Sequence, residues 1–274
     1  MAEPPAISGR TRLFAVLGDP VLQVRAPALV NALFARLGHD GVLVPVQVGP
    51  ADFETVLAGL RRIGNLDGLL VTVPHKFAAR ALADRVSPAA AAAGSVNALR
   101  REAGGGWYGD NFDGAGFVAG LRHAGVDPRG RTVLLAGAGG AGSSIAPALL
   151  DAGVAALRLC EPDPDRRDAV RRRLARHWPG RVTATALPVL DGVDLAVNAT
   201  PLGLRPADPL PFDPAGLPGH AVVADIIMQP HTTALLRAAR ARDLTVHHGH
   251  HMLDFQIDAY RRFFGLDLPE HPEH

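Results

Sequence analysis

The chain has 274 residues, 47 % hydrophobic and 20 % charged, with a formal net charge of +1. That balance fits a globular protein with room for two ordinary domains, and it excludes the basic surplus of a nucleic-acid or anionic-membrane binder. The single cysteine, Cys160, excludes an intrachain disulfide, no apolar run reaches membrane-span length, and MAEPPAISGRTRLF lacks a signal-peptide core, so a cytoplasmic location is expected.

Along the first third, strand-like and helix-like segments alternate. RLFAVLG is an apolar strand closing on Gly18, and APALVNALFARLG has helical spacing with a glycine stop. GVLVPVQV is a strand, ADFETVLAGLRRIG a helix, and LDGLLVTVP a buried strand. ALADRVSPAAAAAGSVNALRRE holds a short helix and then a strand. This order predicts an α/β layer with parallel strands. The stretch EAGGGWYGDNFDG is glycine-rich and reads as a turn, and a domain boundary is expected near Asp113.

Beyond it, DGAGFVAGLRHAG is helical, and RTVLLAGAGGAGSSIAPALLDAG reads as strand, glycine turn and helix. LRLCEPD, RVTATAL, VDLAVNAT and AVVADII are strands. RRDAVRRRLARHW and TTALLRAARARD are helices, the first presenting a solvated arginine face. The alternation is that of a doubly wound sheet. HHGHHMLDFQIDAYRRFFG is helix-like and expected to pack back on the first domain. The fold expected is therefore α/β in two domains. Residues 1–112, completed by a C-terminal helix at 250–274, form a substrate domain, and residues 113–249 form a Rossmann-type dinucleotide domain.

The run Gly137-Ala138-Gly139-Gly140-Ala141-Gly142 fits G-x-G-x-x-G and sits between a strand and a helix. Gly137 permits the tight turn, Gly139 lets backbone approach a pyrophosphate, and Gly142 lets helix and strand pack closely. Glu161 ends the next strand, where a carboxylate can accept hydrogen bonds from a ribose diol and would repel a 2′-phosphate. Pro162, Asp163 and Asp165 follow, while Arg166 and Arg167 belong to the next helix, so NAD is expected rather than NADP.

A nicotinamide cofactor implies hydride transfer, and taking hydride from an alcohol carbon also requires a proton to leave its oxygen. Lys76 is the only lysine among 28 basic side chains. Arginine stays protonated, whereas a lysine amine can be tuned to give and take a proton. Asp113 is the candidate partner, and it also suits the N-terminus of the helix it opens.

TVPHK, GSVNAL, GDNFDGAGF, GAGGAG, NATPLGL and GHHMLDFQ stand in the order and spacing of the shikimate/quinate dehydrogenase family, which the chain resembles from Gly18 to Gly265. The resemblance implies an N-terminal substrate domain, a dinucleotide domain and a cleft between them, and a role in aromatic amino acid biosynthesis. It implies Lys76 as proton donor and acceptor with Asp113 as its partner. Thr72, Asn97 and Gln256 fall where the family contacts substrate hydroxyls and carboxylate. Gly137 to Ala141, Glu161, Thr200, Ile226 and Gly249 fall where it lines the cofactor, and Asn198 ends a strand on the nicotinamide side. The family's Asn-Arg-Thr turn for NADP is replaced by Glu161-Pro162-Asp163, closer to NAD-using members.

Four places depart from the family pattern. The two serines of the first loop, which bind the substrate carboxylate in the family, are Val24 and Ala26, and its histidine is Gln23. Leu70, Phe112 and Met228 replace an asparagine, a threonine and a tyrosine. Val24, Ala26, Leu70, Phe112 and Met228 each lose a polar partner, at roughly 1.5–3 kcal/mol for a hydrogen bond to a charged group. A less polar alcohol, or an acid held elsewhere such as on Arg25, is one expectation; a cyclic hydroxy acid is the other. A dinucleotide-binding regulatory protein is a third. HHGHH suggests a metal, but only alternate residues share a strand face and no carboxylate completes the set, so no metal is expected. A monomer or homodimer without nucleic-acid or membrane partners is expected.

Overall fold

A computed structural model describes residues 7–266; the ends of the expected 1–112 and 250–274 segments lie outside the described residues. The chain divides into two compact units, residues 1–112 with 257–274, and residues 113–256.

In the first unit, β1 (Arg12–Gly18), β2 (Gly41–Gln47) and β3 (Leu66–Val71) pair in parallel through helices α1 (Ala26–Leu37) and α2 (Phe53–Leu60). Pro27 suits the first turn of α1, and Gly38 ends it in the left-handed conformation, where its N–H reaches the carbonyls of Ala35 and Phe34. Next come α3 (Lys76–Leu82), β4 (Arg85–Val86), α4 (Pro88–Ala93), β5 (Ala98–Arg101) and β6 (Trp107–Asp110). The sheet order is β2-β1-β3-β5-β6-β4.

Two expectations change here. The sheet is mixed, because β5 runs antiparallel to both β3 and β6. The glycine-rich stretch holds a strand as well as a turn. Gly104 to Gly106 make a tight connection, and Trp107, 1 % exposed, turns into the core with Leu69, Leu99 and Val96. A helix at Ile257–Phe263 belongs to this unit: the Arg100 guanidinium donates to Phe263 O (3.0 Å).

In the second unit, α5 (Asp113–His123), β7 (Thr132–Ala136), α6 (Gly142–Asp151), β8 (Ala156–Cys160), α7 (Pro164–Ala175), β9 (Val182–Thr185), β10 (Leu195–Asn198), β11 (Val222–Asp225), α8 (Ala234–Arg240), β12 (Thr245–His247) and α9 (His250–Asp254) follow in order. All five ladders are parallel, in the order β12-β11-β10-β7-β8-β9. This is the doubly wound arrangement, with strand order reversing between β7 and β10. Leu134, Leu135, Leu195, Val197, Val223 and Ala224 are buried on both faces of the sheet.

Among the described residues the C-terminal segment holds two helices rather than one, and the chain leaves the second unit after Gln256, not at 250. The reason is packing. A Cβ on Gly116 would lie 2.4 Å from Met252 O, and one on Gly120 would lie 2.9 Å from His251 Cβ. Bare helix backbone on α5 therefore lets α9 approach closely and holds it in this unit.

Candidate active site

At the end of β3, the backbone N–H of Thr72 donates to Leu17 O (2.9 Å), and that of Asp19 donates to Val73 O (2.9 Å). His75 then fixes the turn: its ring stacks on Phe53 (4.2 Å between centroids, 6° between planes), and Nε2 lies 2.6 Å from Val48 O. The turn delivers Lys76 as the first residue of α3, with the residue 9 % exposed. Its carbonyl accepts the N–H of Val96 (2.9 Å), while the N–H of Val71 donates to Asn97 O (2.8 Å).

The structure thus brings Thr72, Lys76 and Asn97 together at one end of the sheet. Asn97 is buried, its Oδ1 accepting from Phe112 N (3.0 Å) and its Nδ2 donating to the Tyr260 hydroxyl (3.2 Å). Leu70 is buried on β3. The first loop lies beside Thr72. Its turn closes on itself, through Val24 N to Val21 O (3.1 Å) and Gln23 Nε2 to Pro20 O (2.9 Å). Val24 is half-buried, Ala26 is buried at the start of α1, and Leu22 is exposed.

In the second unit Asp113 is buried as the first residue of α5, and Gln256 Nε2 donates to its Oδ1 (3.3 Å). The Gly114 N–H donates to Ser144 Oγ (3.1 Å), which ties this end of α5 to α6. Asp113 and Gln256 are therefore neighbours, as are α5 and α9.

The glycine loop joins β7 to α6 where strand order reverses. Gly137 has φ +97°, a left-handed conformation that favours glycine, and a Cβ there would lie 2.8 Å from Ala199 O. A Cβ on Gly142 would lie 2.0 Å from Gly137 O, whereas one on Gly139 would meet nothing within 4 Å. The surface of the loop at Gly139 is thus open backbone, with Gly140 and Ala141 leading into α6. That shape suits a phosphate group at a helix N-terminus.

Across the reversal, Asn198 ends β10. Its Oδ1 accepts from Thr200 N (3.0 Å) and Thr200 Oγ1 (2.7 Å), and its Nδ2 donates to Leu202 O (3.0 Å) and Asp225 Oδ1 (3.1 Å). Asp225 also accepts from Ile227 N (3.0 Å) and Thr233 Oγ1 (2.7 Å). Burial pushes its carboxyl above the ordinary carboxylate range against the pull of these donors. Sequence reasoning missed Asp225, although a lone acid ending the apolar run AVVAD is the signal that singled out Glu161. Ile226 follows it, a Cβ on Gly249 would lie 2.4 Å from Ile226 C, and Met228 packs against the core of the unit. Tyr260, the partner of Asn97, was also missed.

Glu161 is buried and already committed. Oε2 accepts from Ala138 N (2.9 Å) and Oε1 from Asp163 N (3.1 Å), so the carboxylate braces the glycine loop against the next turn. Asp163 caps α7 through the N–H groups of Asp165 and Arg166 (3.0 Å each), which hold its carboxyl below the usual range. Arg166 folds back over this turn, its guanidinium 3.7 Å from Glu161 Oε2 and 3.8 Å from Asp163 Oδ2.

The HHGHH segment is not one strand: His247 ends β12, and the chain turns at Gly249. His250 and His251 open α9, and the helical spacing adds Asp254, the carboxylate that the expectation of no metal held to be missing.

The family model for the shikimate dehydrogenase substrate binding domain matches residues 16–99. A relative from Rubrobacter xylanophilus is 43 % identical over 96 % of this chain and 94 % of its own, and one from Acidiphilium cryptum is 41 % identical over 95 % and 93 %. Both are named shikimate dehydrogenase (NADP(+)). The structure of shikimate 5-dehydrogenase from Thermus thermophilus in complex with NADP(H) and shikimate superposes with a TM-score of 0.82, 31 % identity and 95 % coverage of each chain.

These names overturn the expectation of NAD. The physical reason lies in the turn after β8. Backbone N–H groups brace the Glu161 carboxylate between the glycine loop and the next turn, and Arg166, although part of the following helix, returns its cation to the strand end, where it offsets the charge that would repel a 2′-phosphate. The chain belongs to the shikimate/quinate dehydrogenase family, oxidoreductases acting on a CH–OH donor.

Proposed function

We propose that the protein interconverts a secondary hydroxyl and a ketone on a shikimate-like cyclic hydroxy acid, using NADP(H). The observation that carries this is identity of 43 % over nearly the whole length of a relative named shikimate dehydrogenase (NADP(+)). The two domains take the roles of substrate unit (residues 1–112 with the C-terminal helix) and dinucleotide unit.

The dinucleotide's pyrophosphate is held by the backbone of Gly137 to Ala141, and its nicotinamide side by Thr200, Ile226 and Gly249, with buried Asn198 fixing Thr200 from beneath. Arg166 supplies the cation for the 2′-phosphate, with Asp163 fixing the turn that presents it. The bound nicotinamide supplies a hydride acceptor or donor. Lys76 takes the hydroxyl proton during oxidation and returns it during reduction, and its burial at a helix start holds the amine in one place. Asp113 accepts a hydrogen bond from the substrate and is itself oriented by Gln256. Thr72 and Asn97 position the ring hydroxyls. A soluble small molecule is the partner in this reaction.

A second possibility rests on Val24 and Ala26. With no hydroxyl at either position, the first loop offers apolar surface beside Thr72, which suits a substrate lacking a carboxylate there.

The test is turnover of shikimate, quinate and neutral cyclic alcohols by the purified chain with NADP+ and with NAD+, followed by nicotinamide absorbance. Shikimate and NADP+ should give the highest kcat/KM. Lys76→Ala should abolish turnover and leave NADPH affinity unchanged. Turnover persisting in Lys76→Ala refutes the acid/base role, and preference for a neutral alcohol transfers the function to the second possibility.

A further inference from the structure

Around HHGHH the second unit carries imidazoles that hydride transfer does not use. Five rings form a continuous stack. His247 lies against His251 (4.8 Å between centroids), His251 against His250 (4.0 Å), His250 against His231 (5.1 Å) and His231 against His248 (4.4 Å). His248 is fully engaged: Nδ1 donates to His231 O (2.8 Å), and Nε2 accepts from Arg240 (2.9 Å). His250 is not, since its buried Nδ1 has no hydrogen-bond partner. A ring nitrogen of His250, a ring nitrogen of His251 and a carboxylate oxygen of Asp254 lie within 4.8 Å of one another.

We propose that His250, His251 and Asp254 form a binding site for a borderline divalent transition-metal ion of the Zn2+ class. Two imidazole nitrogens and one carboxylate oxygen are a donor set that Zn2+ accepts, whereas Mg2+ and Ca2+ take oxygen ligands. Zinc holds nitrogen and oxygen donors at about 2.0–2.2 Å, which sets tetrahedral ligands about 3.4 Å apart. His250 and His251 are half-buried and Asp254 is exposed, so side-chain rotation at the helix surface closes the remaining gap. The positions not filled by protein are left to water. The ion joins the first turn of α9 to its last residue and so braces the short helix that leads to Gln256.

The test uses the full chain, stripped with EDTA and titrated with Zn2+ alone against a chromophoric zinc indicator, with unfolding temperature measured in parallel. A single equivalent of Zn2+ should be withdrawn from the indicator and should raise Tm. Asp254→Asn and the double variant His250→Gln/His251→Gln should each weaken binding by about tenfold or more while leaving the metal-free Tm near the parent value. His177→Gln, at an exposed position on another part of the unit, should change nothing, and excess Mg2+ should not displace Zn2+. The site is refuted if the parent does not compete, if both ligand variants bind as the parent does, or if His177→Gln weakens binding equally. Should the double variant misfold, Asp254→Asn still decides the outcome, because an exposed carboxylate replaced by its amide leaves the packing intact.

Discussion

Replacing Gly139 and, separately, Gly142 by alanine sets two demands on the same loop against each other. At Gly142 the new Cβ would sit 2.0 Å from Gly137 O and 3.3 Å from Ala199 Cβ. The first contact is backbone, and Gly137 is held at φ +97° with its N–H on Cys160 O (2.8 Å), so the loop cannot yield without breaking its own turn. Overpacking of this kind costs about 2 kcal/mol. In a unit of this size that lowers Tm by about 4–8 °C. At Gly139 a Cβ meets nothing within 4 Å. Stability should therefore hold within about 0.5 kcal/mol. The methyl group does, however, stand where a pyrophosphate must approach the backbone, and NADPH affinity should fall by about tenfold or more. Differential scanning fluorimetry without cofactor reads the first effect, and nucleotide fluorescence titration reads the second. Equal destabilisation by the two substitutions, or unchanged NADPH affinity in Gly139→Ala, refutes the division of roles.

Other outcomes follow from the site. Lys76→Arg should lose turnover as completely as Lys76→Ala, because a guanidinium keeps its charge and cannot give up a proton near neutral pH; a pH–rate profile retaining the parent activity would contradict this. Arg166→Ala should raise KM for NADP+ by about tenfold, the equivalent of about 1.4 kcal/mol, and leave KM for NAD+ unchanged, measured by steady-state kinetics with each nucleotide. Asp194 accepts from Thr132 N (2.7 Å) and from His220 Nε2 (2.9 Å), and the Thr132 N–H is the main cause of its lowered pKa. A carboxyl depressed on folding adds stability above its unfolded pKa, and that stability is lost as pH falls through the folded value. Asp194→Asn should thus cost about 1 kcal/mol at pH 7 and progressively less towards pH 3, read from urea midpoints.

Much of the α/β pattern was legible because apolar periodicity and glycine punctuation agree. RTVLLAGAGGAG announces strand, turn and helix by composition alone, and the parallel second sheet follows from the alternation. What escaped was set by pairing between distant segments. WYGD becomes a strand because Trp107 has a core to enter and β5 has an edge to pair, neither of which is local to those four residues. Nothing in MLDFQID breaks helical spacing, so the sequence predicts one helix over 250–274; the interruption comes from α9 lying on the glycines of α5. At the site, residue types singled out Lys76, Asn198 and the glycine loop as candidates, but the partners of each side chain were invisible. Glu161 looks like a bare repulsive charge in sequence, and only the fold shows it braced by the N–H groups of Ala138 and Asp163 and faced by Arg166. Asp254 joins the histidines only once the segment is a helix.

The helix Ile257–Phe263 has a consequence for how the molecule is made. It closes the first unit through contacts such as Asn97 to Tyr260 and Arg100 to Phe263, each spanning 163 residues of chain. The second unit, 113–256, is continuous and is complete in sequence before those partners are synthesised. On a ribosome the first unit must therefore wait, with Asn97 and the outer face of β5 uncovered, until the last helix emerges. A chain terminated before Ile257 would keep a contiguous second unit and lose Tyr260 from Asn97, so the order of synthesis makes the substrate side the last part of the protein to become native.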